Sequence, residues 1–187
     1  MDHIVTAMLI MTTVTVPAIA QTQNGSLGEL TVVAKLDIGR YMGTWYEVAR
    51  LPNSFQTKCA GDVTATYTLR ADGAIDVVNK CRLADGTMSE AIGRAKQADE
   101  DGPNTKLKVR FAPAWLSLLP FVWGDYWVID LAPDYSSAVI GEPRRKYLWV
   151  LSRTPQIDET RFNNILAGVK KQGYDLTNLI RTVQSGK

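Results

Sequence analysis

Few residues in this chain could do covalent chemistry. The one histidine, His3, stands almost at the first position, so nearly the whole length has no imidazole base. Ser–His and Cys–His nucleophile pairs need that base within hydrogen-bond reach, and they have none here. A metal centre would have to draw on carboxylates and cysteines alone, and no cluster of them has ligand spacing. No glycine-rich phosphate loop occurs. Asp99-Glu100-Asp101, before Gly102-Pro103, reads as a solvated turn rather than a cation site. Neither a catalytic residue nor a metal nor a cofactor is expected, and the chain reads as a non-enzyme. Cys59 and Cys81 leave two chemistries open: a disulfide in an oxidising compartment, or a pair of free thiols, one of them reactive.

The two cysteines flank a strand-turn-strand segment, Asp62 to Lys80, folded about the Asp72-Gly73 turn signal. Antiparallel pairing brings the ends of such a hairpin together, which suits the disulfide; closing a loop of this length stabilises by about 3 kcal/mol. Strand-like segments recur at close spacing: Thr44–Leu51, Gly61–Leu69, Ala74–Arg82, Met88–Ala98, Lys106–Ala112, Tyr126–Leu131, Ser137–Gly141 and Tyr147–Arg153. Alternation is clean where Leu107, Val109 and Phe111 interleave with Lys106, Lys108 and Arg110, and again along Asp62 to Leu69. Period two means one face toward an apolar interior and the other toward water. Eight such segments without an intervening helix predict an all-β domain, an up-and-down antiparallel barrel or a sandwich. A short helical turn is expected over Ile38–Tyr41. A single amphipathic helix follows the strands, with Phe162, Ile165, Leu166 and Val169 at helical spacing, Asp158 as N-cap and Gly173 as stop. Ile157 and Phe162 then fall at the positions of a hydrophobic staple.

Two segments about a hundred positions apart bracket the strands: Gly43-Thr44-Trp45-Tyr46-Glu47-Val48-Ala49-Arg50 and Leu148-Trp149-Val150-Leu151-Ser152-Arg153-Thr154-Pro155. Together they resemble the first and third signature regions of the lipocalin family, in particular its bacterial outer-membrane type, from about Leu36 to Val183. The resemblance implies an eight-stranded antiparallel up-and-down barrel with the helix packed outside, and a segment near Leu179–Val183 returning to the first strand. Gly43, Trp45 and Arg153 are the expected structural signature: the indole plugs one end and the arginine lies across its face, a contact worth about 0.5–2 kcal/mol.

With the resemblance choosing the inward face, alternation nominates a ligand lining. Its members are Val63, Ala65 and Tyr67; Ile75, Val77 and Asn79; Gly93 and Ala95, whose small size would leave room; Leu107, Val109 and Phe111; Tyr126 and Val128; and Tyr147 and Trp149. Trp149 occupies the place of a ligand-contacting tryptophan in related lipocalins such as apolipoprotein D. The competing reading is that these residues fill a solid core. A barrel of this size holds one small ligand. Each buried methylene contributes about 0.8 kcal/mol, which suits an acyl chain; the expected ligand is a fatty acid or lysophospholipid, and the resemblance implies its storage or transport in the cell envelope. The alternative is a lipid-modifying isomerase using a free cavity cysteine. A haem binder would need a tyrosine ligand.

Strand order places three loops at the end opposite Trp45. One contains Phe55; one contains Trp115, Leu116, Leu118, Leu119, Phe121 and Trp123; the third contains Arg144, Arg145 and Lys146. Apolar tips beside basic residues read as a rim for peripheral membrane contact. A lid and a homodimer contact are the competing readings.

Length and composition fit one domain, with residues 35–187 as the barrel: 187 residues at 45% hydrophobic are enough for a buried core. The balance of 21 Lys+Arg against 19 Asp+Glu excludes a strongly basic nucleic-acid binder. Residues 1–20 read as a secretory signal peptide, apolar from Ile4 to Val16 with Ala18-Ile19-Ala20 at the cleavage site. Residues 21–34 read as a flexible N-terminal segment. No cysteine follows the apolar stretch, so no lipoprotein anchor is expected. The compartment is periplasmic or secreted, peripheral to the outer membrane at most.

Overall fold

The computed structural model describes residues 28–185, so the expected signal peptide and the segment up to residue 27 lie outside the described residues. Nine strands form one sheet: β1 (Gly43–Arg50), β2 (Cys59–Leu69), β3 (Ile75–Leu83), β4 (Met88–Gln97), β5 (Lys106–Arg110), β6 (Gly124–Leu131), β7 (Ser137–Gly141), β8 (Leu148–Ser152) and β9 (Ile180–Arg181). Each of the first eight pairs antiparallel with its sequence neighbour, and β1 pairs with both β2 and β8. The barrel is therefore closed and leaves no free edge at its lower end. The strands begin and end within a few residues of the sequence segments. Helix α1 covers Ile38–Tyr41, and α2 covers Glu159–Lys171.

Two apolar clusters divide the molecule. One fills the barrel, from Leu36, Tyr41 and Trp45 to Ile140 and Leu151. The other lies between the outer faces of β1 and β6–β8 and helix α2, through Phe162, Ile165 and Val169. Asp158 caps α2 by accepting from the Arg161 amide, and Ile157 and Phe162 pack in the same cluster. Gly173 takes φ +88 just beyond the helix, where a Cβ would be strained. Residues 30–33, expected in the flexible leader, instead pack on the barrel: Leu30 is buried in the outer cluster and the Val33 amide donates to Val128 O.

Cys59 and Cys81 form the disulfide, with Cα atoms 5.5 Å apart. It ties the upper ends of β2 and β3. The upper parts of β1 and β2 diverge, because β2 is irregular between Cys59 and Thr64. The C-terminal tail fills that gap. β9 pairs with Ala49 and Arg50, Gln184 donates to both Glu47 O and Val63 O, and the Asp62 amide donates to Val183 O. Gly61 is required here, since a Cβ would stand 2.6 Å from Val183 O.

Candidate functional site

Trp45 forms the floor of the barrel. Its indole N–H donates to Tyr41 O at 2.8 Å, and the Arg153 guanidinium lies 3.9 Å from its ring centroid. Arg153 also donates to Thr44 O and Arg40 O, which fixes α1 against the first strand. Gly43 at φ +90 is the turn that admits the arginine.

Above the floor stand three phenols, Tyr41 and Tyr67 buried and Tyr126 half-buried. Tyr126 is central, with its hydroxyl 2.8 Å from those of Tyr41 and Tyr67. Burial raises all three above the ordinary tyrosine range: Tyr67 to about 12, Tyr41 and Tyr126 well above 10. Two bonds use two of the three hydroxyl protons, so one proton is left over. Beside them is a void of about 10 Å³ bounded by Tyr41, Tyr67, Ile75, Ala95, Leu107, Val109 and Tyr126. That is the size of a single water site. The lower half of the barrel is thus filled. Ala95 does not open room there, as the sequence had suggested, because the phenols occupy it.

The upper half holds Val63, Ala65, Val77 and Asn79 on the inner face, with Trp149 half-buried; Val128 lies below Tyr126 on β6, in the cluster with Trp45. Gly93 leaves no room either: the space a Cβ would take lies 2.7 Å from the Phe111 ring. Phe111 itself is 44% exposed and belongs to the rim rather than the interior. The oxygen Asn79 Oδ1 is buried without a partner. Phe55, Tyr147 and Trp149 form an aromatic cluster, centroids 5.5 to 6.0 Å apart.

Sequence reasoning missed a buried polar network beside them. Glu47 and Arg50 pair at 2.9 Å, and Thr182 and Gln56 both donate to Glu47. Gln56 Oε1 accepts from the Trp149 indole at 2.9 Å. Glu47 shares its face with Trp45 by simple alternation, so that signal was present. Arg50 was not legible, because a register shift between Glu47 and Ala49 moves it onto the inner face opposite Trp149.

The β5–β6 loop forms two 3-10 turns, Ala114–Leu116 and Pro120–Val122. Trp115, Leu118 and Phe121 are 79%, 91% and 80% exposed. They are not folded back as a lid. Leu119 is more sheltered and Leu116 half-buried. Trp123 differs from the expected rim role: its indole donates to Ser117 O, and Lys96 and Arg110 lie over its ring, so it anchors the loop. Arg145 differs as well, since it donates to Gln172 O, Pro143 O and Gly28 O. Arg144 and Lys146 remain exposed. Among the described residues no helix is long and apolar enough to cross a membrane.

Residues 36–184 match the lipocalin-like domain family. Temperature-induced lipocalin-1 of Arabidopsis thaliana is 44% identical over 158 residues, 84% of each chain. The outer membrane lipoprotein Blc of Escherichia coli K12 is 39% identical over 160 residues, again 84% of each. Apolipoprotein D of Mus musculus is 30% identical over 177 residues, covering 89% of this chain and 88% of its own. Among solved structures, insecticyanin from the tobacco hornworm superposes with a TM-score of 0.64 at 19% identity, covering 85% of this chain and 86% of its own.

Proposed function

Since the chain belongs to the lipocalin family, we propose that it binds and carries a single-chain lipid, a fatty acid or lysophospholipid, in the upper half of its barrel. The observation that carries this reading is the asymmetry of the interior. Phenols and Trp45 fill the closed end, while at the other end Phe55, Tyr147 and Trp149 stand in one aromatic cluster with Phe55 exposed. An acyl chain entering there is desolvated by Val63, Ala65, Val77 and Trp149, and its methyl end meets the phenols. Asn79 Oδ1, buried and unpartnered, would accept from a ligand hydroxyl, as the free glycerol hydroxyl of a lysophospholipid offers. The isomerase alternative needs a thiol, and both sulfurs are committed to the disulfide.

The disulfide supports an extracytoplasmic location, and a relative is by name an outer membrane lipoprotein; the reading is a cell-envelope carrier. Its exposed Trp115, Leu118 and Phe121 would insert at the surface of a bilayer, with Arg144 and Lys146 facing its headgroups. Extraction and mass spectrometry of lipid co-purified with the protein tests the cargo. Single-chain lipids at near-stoichiometric yield are expected; a protein that purifies empty and fails to take up micromolar fatty acid would refute the reading. Vesicle co-sedimentation tests docking: the W115S/L118S double variant should lose binding, and unchanged binding would exclude this loop.

A further inference from the structure

We propose a second binding site on the outer wall of the barrel: a groove that takes the anionic headgroup of a lipid through Arg110 and Arg94. The groove, about 330 Å³, is bordered by Asp76, Ile92, Arg94, Arg110, Phe111 and Pro113. It exists because β5 pairs only with Arg94–Gln97 of β4, leaving Met88–Gly93 without a strand on that side. Arg94 and Arg110 are direct register partners, so their side chains share a face. Like charges placed opposite each other destabilise a sheet unless something answers them.

Arg94 is answered by Asp76, at 3.4 Å, which also pairs with Arg70. Arg110 is not answered by any carboxylate among the described residues. It is only 7% exposed, donates one hydrogen bond to Ala112 O and lies over Trp123. Its Nε is buried without a partner. Lys96, over the same indole, adds a further positive charge. A buried cation without a counter-charge is an unfavourable arrangement that an incoming anion relieves. The other wall is apolar: Ile92 is 67% exposed and Phe111 44%, and the lining runs through Pro113 and Ala114, the residues just before the exposed Trp115. A cationic wall facing an apolar one fits an amphiphile better than a bare anion. The site deepens the docking reading, since the loop tip would insert while the groove selects the headgroup.

The test is a ¹⁵N NMR titration with monomeric dihexanoyl phosphatidylglycerol, the barrel first saturated with palmitate. The Trp123 indole and Gly93 amide signals should move while the Trp45 indole stays. R110Q should weaken binding at least about tenfold, the value of one charge-assisted hydrogen bond, and R94Q should weaken it less. R110Q should melt at or above the wild-type temperature, because the lost charge has no counterion. Affinity unchanged in both variants, or shifts confined to the barrel interior, would overturn the site. Inorganic phosphate binding as tightly would reduce it to a bare anion site and overturn the lipid assignment. Failure of vesicle docking alone would refute the insertion of the loop and leave this titration decisive for the groove.

Discussion

At the scale of single residues, the phenol trio controls how deep a ligand can go. Tyr126 holds both hydrogen bonds, so its removal orphans two hydroxyls, whereas removal of Tyr67 leaves the Tyr41–Tyr126 bond intact. Tyr126→Phe should cost about 3 kcal/mol and Tyr67→Phe about 1 kcal/mol, at about 1–3 kcal/mol per orphaned buried hydroxyl. Thermal melts of the two variants check the order, and equal losses would contradict the trio. The same burial sets an alkaline limit. A folded-state value above the unfolded one means the neutral phenol is favoured by folding, so its stabilisation is complete below pH ~10. It is lost as pH rises toward about 12, where Tyr67 titrates. Phenolate absorbance from Tyr41, Tyr67 and Tyr126, and from Tyr174, which burial also raises to about 12, should therefore appear only together with unfolding. A smooth titration of all seven tyrosines in the folded protein would contradict the burial.

At the scale of elements, the barrel is held shut by two clasps on neighbouring seams. The disulfide joins β2 to β3, and the C-terminal tail bridges β1 to β2. Replacing Cys59 and Cys81 by Ser should lower stability by about 3 kcal/mol, as expected for a closed loop of this length. The tail depends on Asp62, whose carboxylate accepts from the Ser185 amide and pairs with Arg82 at 2.6 Å. Both contacts, the Ser185 amide first, hold its pKa below the usual carboxylate range. The stabilisation is present above the unfolded value near 3.9 and is lost as pH falls through the lower folded value. Hydrogen exchange at the Thr182 and Asp62 amides should accelerate below pH ~4, ahead of the rest of β2; Asp62→Asn should show the same acceleration at neutral pH. These elements were largely legible in the sequence, since period-two alternation, the N-cap Asp158 and the stop at Gly173 are local signals. The bridging of β1 and β2 by Gln184 was not, because it depends on a bulge that puts Asp62 at φ +50. Nor did alternation reveal which inward residues meet: Gly93 and Ala95 read as room, and the ring of Phe111 and three distant tyrosines take it.

At the scale of the molecule, a floor filled by phenols makes ligand length the measurable consequence of the proposed carrier role. Each methylene placed between Val63, Val77 and Trp149 should add about 0.8 kcal/mol. The gain stops when the methyl end reaches Tyr67 and Tyr126, because the 10 Å³ void beyond them does not admit a further methylene. A saturated fatty acid series from octanoate to stearate, titrated against Trp149 fluorescence, should therefore gain affinity steadily and then level off. Tyr126→Ala opens the floor and should move the levelling point to longer chains, at a cost in stability. Saturation of the barrel at a hundred times Kd should itself stabilise the fold by about 2.7 kcal/mol, seen as a rise in Tm. An affinity that climbs without a break through stearate, and does not respond to Tyr126→Ala, would mean that the chain does not lie along the barrel axis. The ligand would then have to be sought on the outer wall, where Arg110 and the exposed loop already provide its two halves.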